Sequence, residues 1–261
     1  MSDSKGHGMA KPAVILVGAD KGGVGKTTVS RALLDYLMAQ SIPTRAFDTE
    51  APRGTLRRFH PDVAEVVDIA STADQMKVFD TISSTDAQIT VIDVRAGLLS
   101  STLRSLRDIG FLEAAKKGQL TFAVFHILGP SVASLDEIAE TAALLTDGSH
   151  FLVKNFINNT TFFEWDPATY DAYFKRKGAY EITIPKLNEM ACEQVELAGV
   201  PFVSFIANKG TGGQPSNFSF VLRGYVRHWL GNVWAEFDRV KLNDIVAADL
   251  QRKSPPAARK A

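Results

Sequence analysis

Lys21-Gly22-Gly23-Val24-Gly25-Lys26-Thr27-Thr28 follows the apolar run Ala13 to Val17 and opens a helical pattern that continues to about Gln40. A strand, a glycine loop and a helix in that order make a phosphate site. Without a Cβ, the glycines take turns that other residues obstruct, so successive backbone N–H groups can face phosphate oxygens. Lys26 adds a point charge, the Thr27 hydroxyl is placed to hold Mg²⁺, and the helix N-terminus contributes partial positive charge. The general pattern G-x-x-x-x-G-K-[ST] has glycine where this chain has Asp20, and a second lysine, Lys21, stands just inside the loop.

Around this loop, β-like runs alternate with helical patterns: Ala13 to Val17, Thr44 to Asp48, Gln88 to Asp93, Leu120 to Leu128, Phe151 to Ile157, Glu181 to Ile184 and Pro201 to Ile206. This alternation predicts an α/β fold: a mostly parallel twisted sheet with helices on both faces. Right-handed crossovers place ligand-binding loops at the carboxyl ends of the strands. Two carboxylates, Asp48 and Glu50, follow the second run and can share a face toward a Mg-nucleotide. Asp93 ends the third run, where a carboxylate beside a divalent ion belongs. The apolar run Leu120 to Leu128 is expected inside the sheet, with His126 as a core histidine.

With 261 residues, 45% hydrophobic content and 29 basic against 29 acidic side chains, the composition is that of a globular protein with no global bias toward nucleic acid or membrane. The single cysteine, Cys192, excludes an internal disulfide and a multi-cysteine metal site within one protomer, and is expected as a helix-packing residue. Residues 1–12 read as a disordered leader, 13–250 as one domain and 251–261 as a disordered basic tail. No stretch reaches the roughly 20 apolar residues of a membrane-spanning helix, so a cytoplasmic location is expected. Arg53, Arg57, Arg58 and His60 form a locally basic loop, and Lys175-Arg176-Lys177 a second basic run; with the tail they are candidate contacts for nonspecific DNA or solvated surface. The aromatic segment from Phe162 to Tyr180 reads either as an interface or as a satellite core. The amphipathic pattern from Asn217 to Val240 reads as a terminal helix packed on the sheet, and its acidic residues argue against membrane association.

KGGVGKTT resembles the deviant Walker A motif of the ParA/MinD family of P-loop NTPases, and the resemblance runs in motif order from about Ala13 to Phe205. It implies a three-layer α/β/α ATPase that binds ATP or ADP with Mg²⁺ and forms a homodimer in the ATP state. It further implies Lys21 reaching the partner's phosphates, Lys26 acting in cis, and nucleotide contacts from Gly22, Gly23, Val24, Gly25, Lys26, Thr27 and Thr28. The family's D-x-D holds the attacking water with its second carboxylate, the position of Glu50 here, and Asp48 and Asp93 join Thr27 at the metal. Val94-Arg95-Ala96-Gly97 resembles the family's D-x-P-A-G segment, with Arg95 in place of proline. Asn158, with Asn159 as an equal alternative, matches the adenine-contacting position, and Pro185, Lys186 and Leu187 match residues flanking the base. The function so implied is a switch that positions or segregates a cargo such as plasmid DNA or a protein complex, triggered by an activating partner protein, and cytoplasmic or nucleoid-associated. The alternative is an ATP-binding adaptor that dimerises on nucleotide but hydrolyses little.

Overall fold

The computed structural model describes residues 11–145, 149–157, 161–175 and 178–246. In chain order it contains β1 (Ala13–Gly18), α1 (Lys26–Ala39), β2 (Thr44–Asp48), α2 (Thr55–Phe59), β3 (Ala64–Val66), α3 (Thr72–Phe79), β4 (Ile89–Asp93), α4 (Leu99–Asp108), α5 (Phe111–Lys116) and β5 (Thr121–Leu128). It continues with α6 (Val132–Leu144), β6 (Ser149–Asn155), α7 (Pro167–Phe174), β7 (Ala179–Ile184), α8 (Glu189–Ala198), α9 (Phe202–Ile206), α10 (Phe220–Arg239) and α11 (Leu242–Val246).

The seven strands form one all-parallel sheet in the order β3-β2-β4-β1-β5-β6-β7. β1 is central, and every residue in it is buried. Its side chains divide by the two-residue period of a strand. Ile15 and Val17 join the core beneath α1 and α8 to α11, whereas Val14 and Leu16 join the core beneath α3, α4 and α5. Leu128, Leu135, Ile138, Leu152, Phe162 and Phe174 make a third core between the sheet and α6 and α7. This is a three-layer α/β/α architecture. The chain winds outward from β1 through β2 and β3 on one side, returns as β4, and crosses to β5 on the other. Loops leaving the carboxyl ends of β1, β4 and β5 therefore diverge around a central crevice.

Six of the seven expected strands are present. Pro201 to Ile206 is instead the short helix α9: Pro201 takes the N-cap position, and Phe202 and Phe205, three apart, share its buried face. The short edge strand β3, in a stretch with no clear periodicity, pairs with β2. The helical pattern after Thr102 divides into α4 and α5, which turn at Ile109 and Gly110. His126 is fully buried beside Glu137 at 3.5 Å, and the terminal helix α10 packs its Val226, Trp229, Leu230, Val233 and Phe237 on the sheet. The aromatic segment contributes Phe162 and Phe174 to the third core. Residues 1–10 of the expected leader and the whole of the expected tail lie outside the described residues, while the Pro12 carbonyl accepts a hydrogen bond from the Thr121 N–H. Among the described residues, no helix is long and apolar enough to cross a membrane.

Candidate nucleotide and metal site

The loop after β1 is held by its surroundings. Gly25 has φ of 84°, a left-handed conformation that L side chains resist, and a Cβ there would stand 2.3 Å from Asn155 Nδ2 and 2.8 Å from Ile157 Cδ1. Asn155, buried at the end of β6, donates from Nδ2 to the Val24 carbonyl at 2.9 Å. A side chain 131 positions away in the sequence thus fixes the crown of the glycine loop. α1 begins at Lys26, whose side chain is buried; desolvation lowers its pKa, opposed by the charges of Asp93, Glu50 and Glu137.

Beneath the loop, Asp93 accepts hydrogen bonds from Thr27 Oγ1 at 2.8 Å and Ser30 Oγ at 3.0 Å. It is 4% exposed. Burial, reinforced by the nearby Asp48 charge, pushes its carboxyl up to about 7, against the two hydroxyl donors and the Lys26 charge. A carboxylate so placed wants a cation. Asp48, paired in register with Asp93, instead serves the backbone: it accepts the N–H groups of Glu50 at 2.9 Å, Leu56 at 2.6 Å and Arg57 at 3.2 Å, tying down the start of α2. Glu50 accepts a short hydrogen bond from the Thr55 hydroxyl through Oε2. Thr49 joins the two loops, donating its N–H to the Asp93 carbonyl at 3.0 Å while its Oγ1 accepts the Arg95 N–H at 2.8 Å. A cavity of about 230 Å³ is lined by Gly23, Gly25, Lys26, Thr27, Thr28, Asp48, Glu50, Asp93, Val94, Arg95 and Ala96. Gly22, outside that lining, is exposed beside Ala96.

Two of the departures from the common patterns, Asp20 and Arg95, are explained by contacts with residues distant in the chain. The Asp20 carboxylate accepts the Ser100 N–H at 3.1 Å and the Ser100 hydroxyl, satisfying the amino end of α4. Arg95 uses its N–H to reach Thr49, a bond that proline lacks the proton to make.

A second cleft, of about 300 Å³, opens beside Thr28 and is lined by Asn155, Phe156, Ile157, Pro185, Lys186 and Leu187, with Arg31, Cys192, Glu196 and Trp229 among its other walls. Trp229 Nε1 donates to the Pro185 carbonyl at 2.6 Å, and Lys186 pairs with Glu189 at 2.7 Å. The structure thus gathers Pro185, Lys186 and Leu187 beside Thr28. Asn158 and Asn159 lie outside the described residues. Cys192 is exposed, not packed within the helix layer: it lies on the cleft side of α8, whose Ala191 and Val195 face the core. Lys21 is exposed, and its stem passes the β5–α6 turn, where a Cβ on Gly129 would meet Lys21 Cδ at 2.9 Å.

Sequence reasoning missed three residues here. Ser30 lies one turn after the motif, a spacing at which its hydroxyl shares a face with Thr27. Asn155 was hidden by placing the strand's end at Ile157, although the polar pair Lys154-Asn155 interrupts the apolar run. Arg31, buried and ion-paired with Glu196 at 2.5 Å, lies with its guanidinium 3.4 Å from the Phe59 ring centroid, a tertiary contact without a local signal.

No family model matches the chain, and no curated protein matches it in sequence. Solved structures do match its fold. A plasmid partition protein from Borrelia burgdorferi bound to AMPPNP is 12% identical, with a TM-score of 0.53, over 88% of this chain and 99% of that one. A ParA family ATPase from Chlorobium tepidum is 14% identical, with a TM-score of 0.51, over 84% and 98%. The septum site-determining protein MinD from Pyrococcus horikoshii, complexed with Mg-ADP, is 17% identical, with a TM-score of 0.51, over 88% and 96%. These likenesses establish a ParA/MinD-like fold.

Proposed function

We propose that this chain, with its ParA/MinD-like fold, is a Mg-ATP-dependent ATPase switch that dimerises on nucleotide and positions or segregates a cargo such as plasmid DNA or a protein complex. The observation that carries the reading is the buried Asp93 carboxylate, held by Thr27 and Ser30 directly below a glycine loop with Lys26 at its helix end. A carboxylate raised by burial, next to a hydroxyl ligand and a phosphate cradle, fits Mg²⁺, which takes few protein ligands and completes its shell with phosphate and water. Among the described residues no cluster of three or more His, Cys, Asp or Glu side chains forms a metal cage, in keeping with that mode of binding. Thr27 and Asp93 would hold the ion, with Asp48 alongside. When bound, Mg²⁺ neutralises charge developing on the transferred phosphoryl group.

The chain's own groups divide the remaining work. Backbone N–H groups from Gly22 to Thr28 cradle the phosphates, and Lys26 stabilises charge in cis. Lys21, exposed at the rim, is free to reach a partner protomer's nucleotide. Glu50 orients the attacking water through the oxygen that Thr55 leaves unused. The base sits in the second cleft, against Pro185, Lys186 and Leu187, with Asn158 or Asn159 as its amide reader. Residues 13–250 act as one ATPase domain in the cytoplasm, and an activating partner protein sets the rate. Nonspecific DNA binding has less support: Arg58, exposed like Arg53 and Arg57, donates to the Glu196 carbonyl, His60 is buried, Lys175 pairs with Asp171 at 2.8 Å, and Arg176 and Lys177 lie outside the described residues.

Steady-state ATP turnover of the wild type, Lys21→Ala and Glu50→Ala tests the reading, with both variants expected to lose most of the rate. Unchanged turnover in either would remove that residue's role. The Glu50–Thr55 bond favours a second reading, an adaptor that binds ATP and dimerises but turns over little, which predicts nucleotide binding with negligible turnover even in the wild type.

A further inference from the structure

The amino half of α10 buries Leu222, Val226, Trp229 and Leu230 against the sheet layer, yet its outward side is also apolar. Phe220 is 78% exposed, Val221 60% and Tyr225 49%. Val221 and Tyr225 stand four positions apart and so share a face, with Phe220 adjoining them. A single exposed apolar side chain needs no explanation, but three within about two helical turns make a patch. The patch stands on a fixed base. Ser219 caps α10 by accepting the Leu222 N–H at 3.4 Å. Asn208 clasps the loop before it, donating to the Ser216 carbonyl at 2.7 Å and accepting the Phe218 N–H at 2.9 Å, while the Phe218 ring stacks on buried Phe205 at 4.6 Å. Arg223, its guanidinium 5.8 Å from the Phe220 ring, donates to the Ile206 carbonyl of α9 at 3.3 Å. Side chains held on such a base lose little freedom when a partner docks.

Charge and shape narrow the choice of partner. Between Glu196 and Glu236 the chain has no Asp or Glu, whereas Lys209, Arg223 and Arg227 fall within that interval. Lys209 and Arg227 are exposed and form no ion pair among the described residues, and the amino end of the 20-residue α10 adds partial positive charge. Gly224, one turn after Phe220, and Gly231, two turns after Gly224, lie where an added Cβ would meet nothing within 4 Å. Glycine inside a helix costs about 1 kcal/mol relative to alanine, and here it leaves the backbone open to close approach. A phosphate backbone would use the cations and leave the three apolar side chains in water; a helix with an apolar stripe and acidic flanks uses both. We propose that this face of α10 docks an acidic amphipathic helix of a partner protein. Its apolar side covers Phe220, Val221 and Tyr225, and its carboxylates pair with Arg227. The proposal stands apart from the nucleotide reading, because none of these residues lines the phosphate cavity.

Fluorescence anisotropy of two labelled synthetic peptides, titrated with the full chain in the absence of nucleotide, tests this. Each peptide is a helix of about five turns with leucine along one face; one carries glutamate on its flanks and the other lysine. The glutamate peptide is expected to bind with Kd on the order of 10–100 μM, at least about tenfold tighter than the lysine peptide, and to weaken as salt is raised. Phe220→Ala and Tyr225→Ala should each weaken it about five- to tenfold, and Arg227→Glu about tenfold. All three side chains are exposed, so the variants should keep wild-type thermal stability. Equal binding of the two peptides, or glutamate-peptide binding that survives all three substitutions, overturns the proposal. Tighter binding through the same residues to a DNA duplex or to phosphatidylglycerol vesicles also overturns it, by making the face a phosphate-binding surface. Self-association that the same substitutions abolish overturns it as well, by making the face a contact between copies of this chain.

Discussion

Replacing Asp93 by asparagine removes one charge with almost no change in shape, so it isolates the electrostatic strain at the centre of the site. The folded chain raises this carboxyl from 3.8 to about 7. A group whose pKa is raised on folding holds its proton more tightly in the folded state, so its favourable contribution is complete below 3.8 and is lost as pH rises through about 7. At about 1.36 kcal/mol per pH unit the gap corresponds to roughly 4 kcal/mol, an upper bound because Asp48 is coupled to it. Asparagine keeps one acceptor for Thr27 and Ser30 and forfeits about 1 kcal/mol of hydrogen bonding. Without nucleotide, Asp93→Asn should therefore be more stable than the wild type by roughly 2–3 kcal/mol at pH 8 and by less than about 1 kcal/mol at pH 5. Urea denaturation at the two pH values reads the difference. With Mg-ATP at about 100 times Kd the wild type should gain about 2.7 kcal/mol by mass action, and the Mg²⁺-dependent part of that gain should vanish in the variant. An advantage that does not change with pH, or a full Mg²⁺-dependent gain in the variant, would refute the placing of Asp93 in the proposed metal site.

Two further substitutions probe the loop and the motif's irregular first position. Gly25→Ala should cost about 1–2 kcal/mol for the left-handed backbone alone, with more from the approach of Asn155 Nδ2, and should abolish detectable ATP binding by calorimetry; retention of wild-type affinity would show that the loop tolerates another conformation. Asp20→Ala should lower stability by about 1 kcal/mol through loss of the α4 cap while leaving turnover within about twofold, so a large loss of turnover at unchanged stability would move Asp20 from scaffold to chemistry.

Much of this was legible in the sequence because the signals are local. The strand–glycine loop–helix order, the carboxylates at the ends of β2 and β4, and the alternation of apolar runs each depend on a few neighbouring residues, and the sheet places them side by side at its carboxyl edge. What escaped was set by contacts distant in the chain. The run Pro201 to Ile206 has the apolar content of a strand, and only the packing of Phe202 and Phe205 beneath α10 makes it a helix. β3 is three residues long, too short to show a period, and exists because β2 offers it an edge. Asn155 gains its role from the Val24 carbonyl 131 positions earlier. Asp20 and Arg95 look like defects against the motif, and only the structure shows that one caps a helix and the other lends its N–H to a neighbouring loop.

In the proposed function, two copies of this chain complete each other's site, with Lys21 as the contribution made across the interface. ATP turnover per protomer, measured against protein concentration at saturating Mg-ATP, distinguishes such a shared site from one complete within a single protomer. Specific activity should rise with concentration and then level off for the wild type, and stay flat and low for Lys21→Ala. A wild-type rate independent of concentration and matched by Lys21→Ala would contradict it.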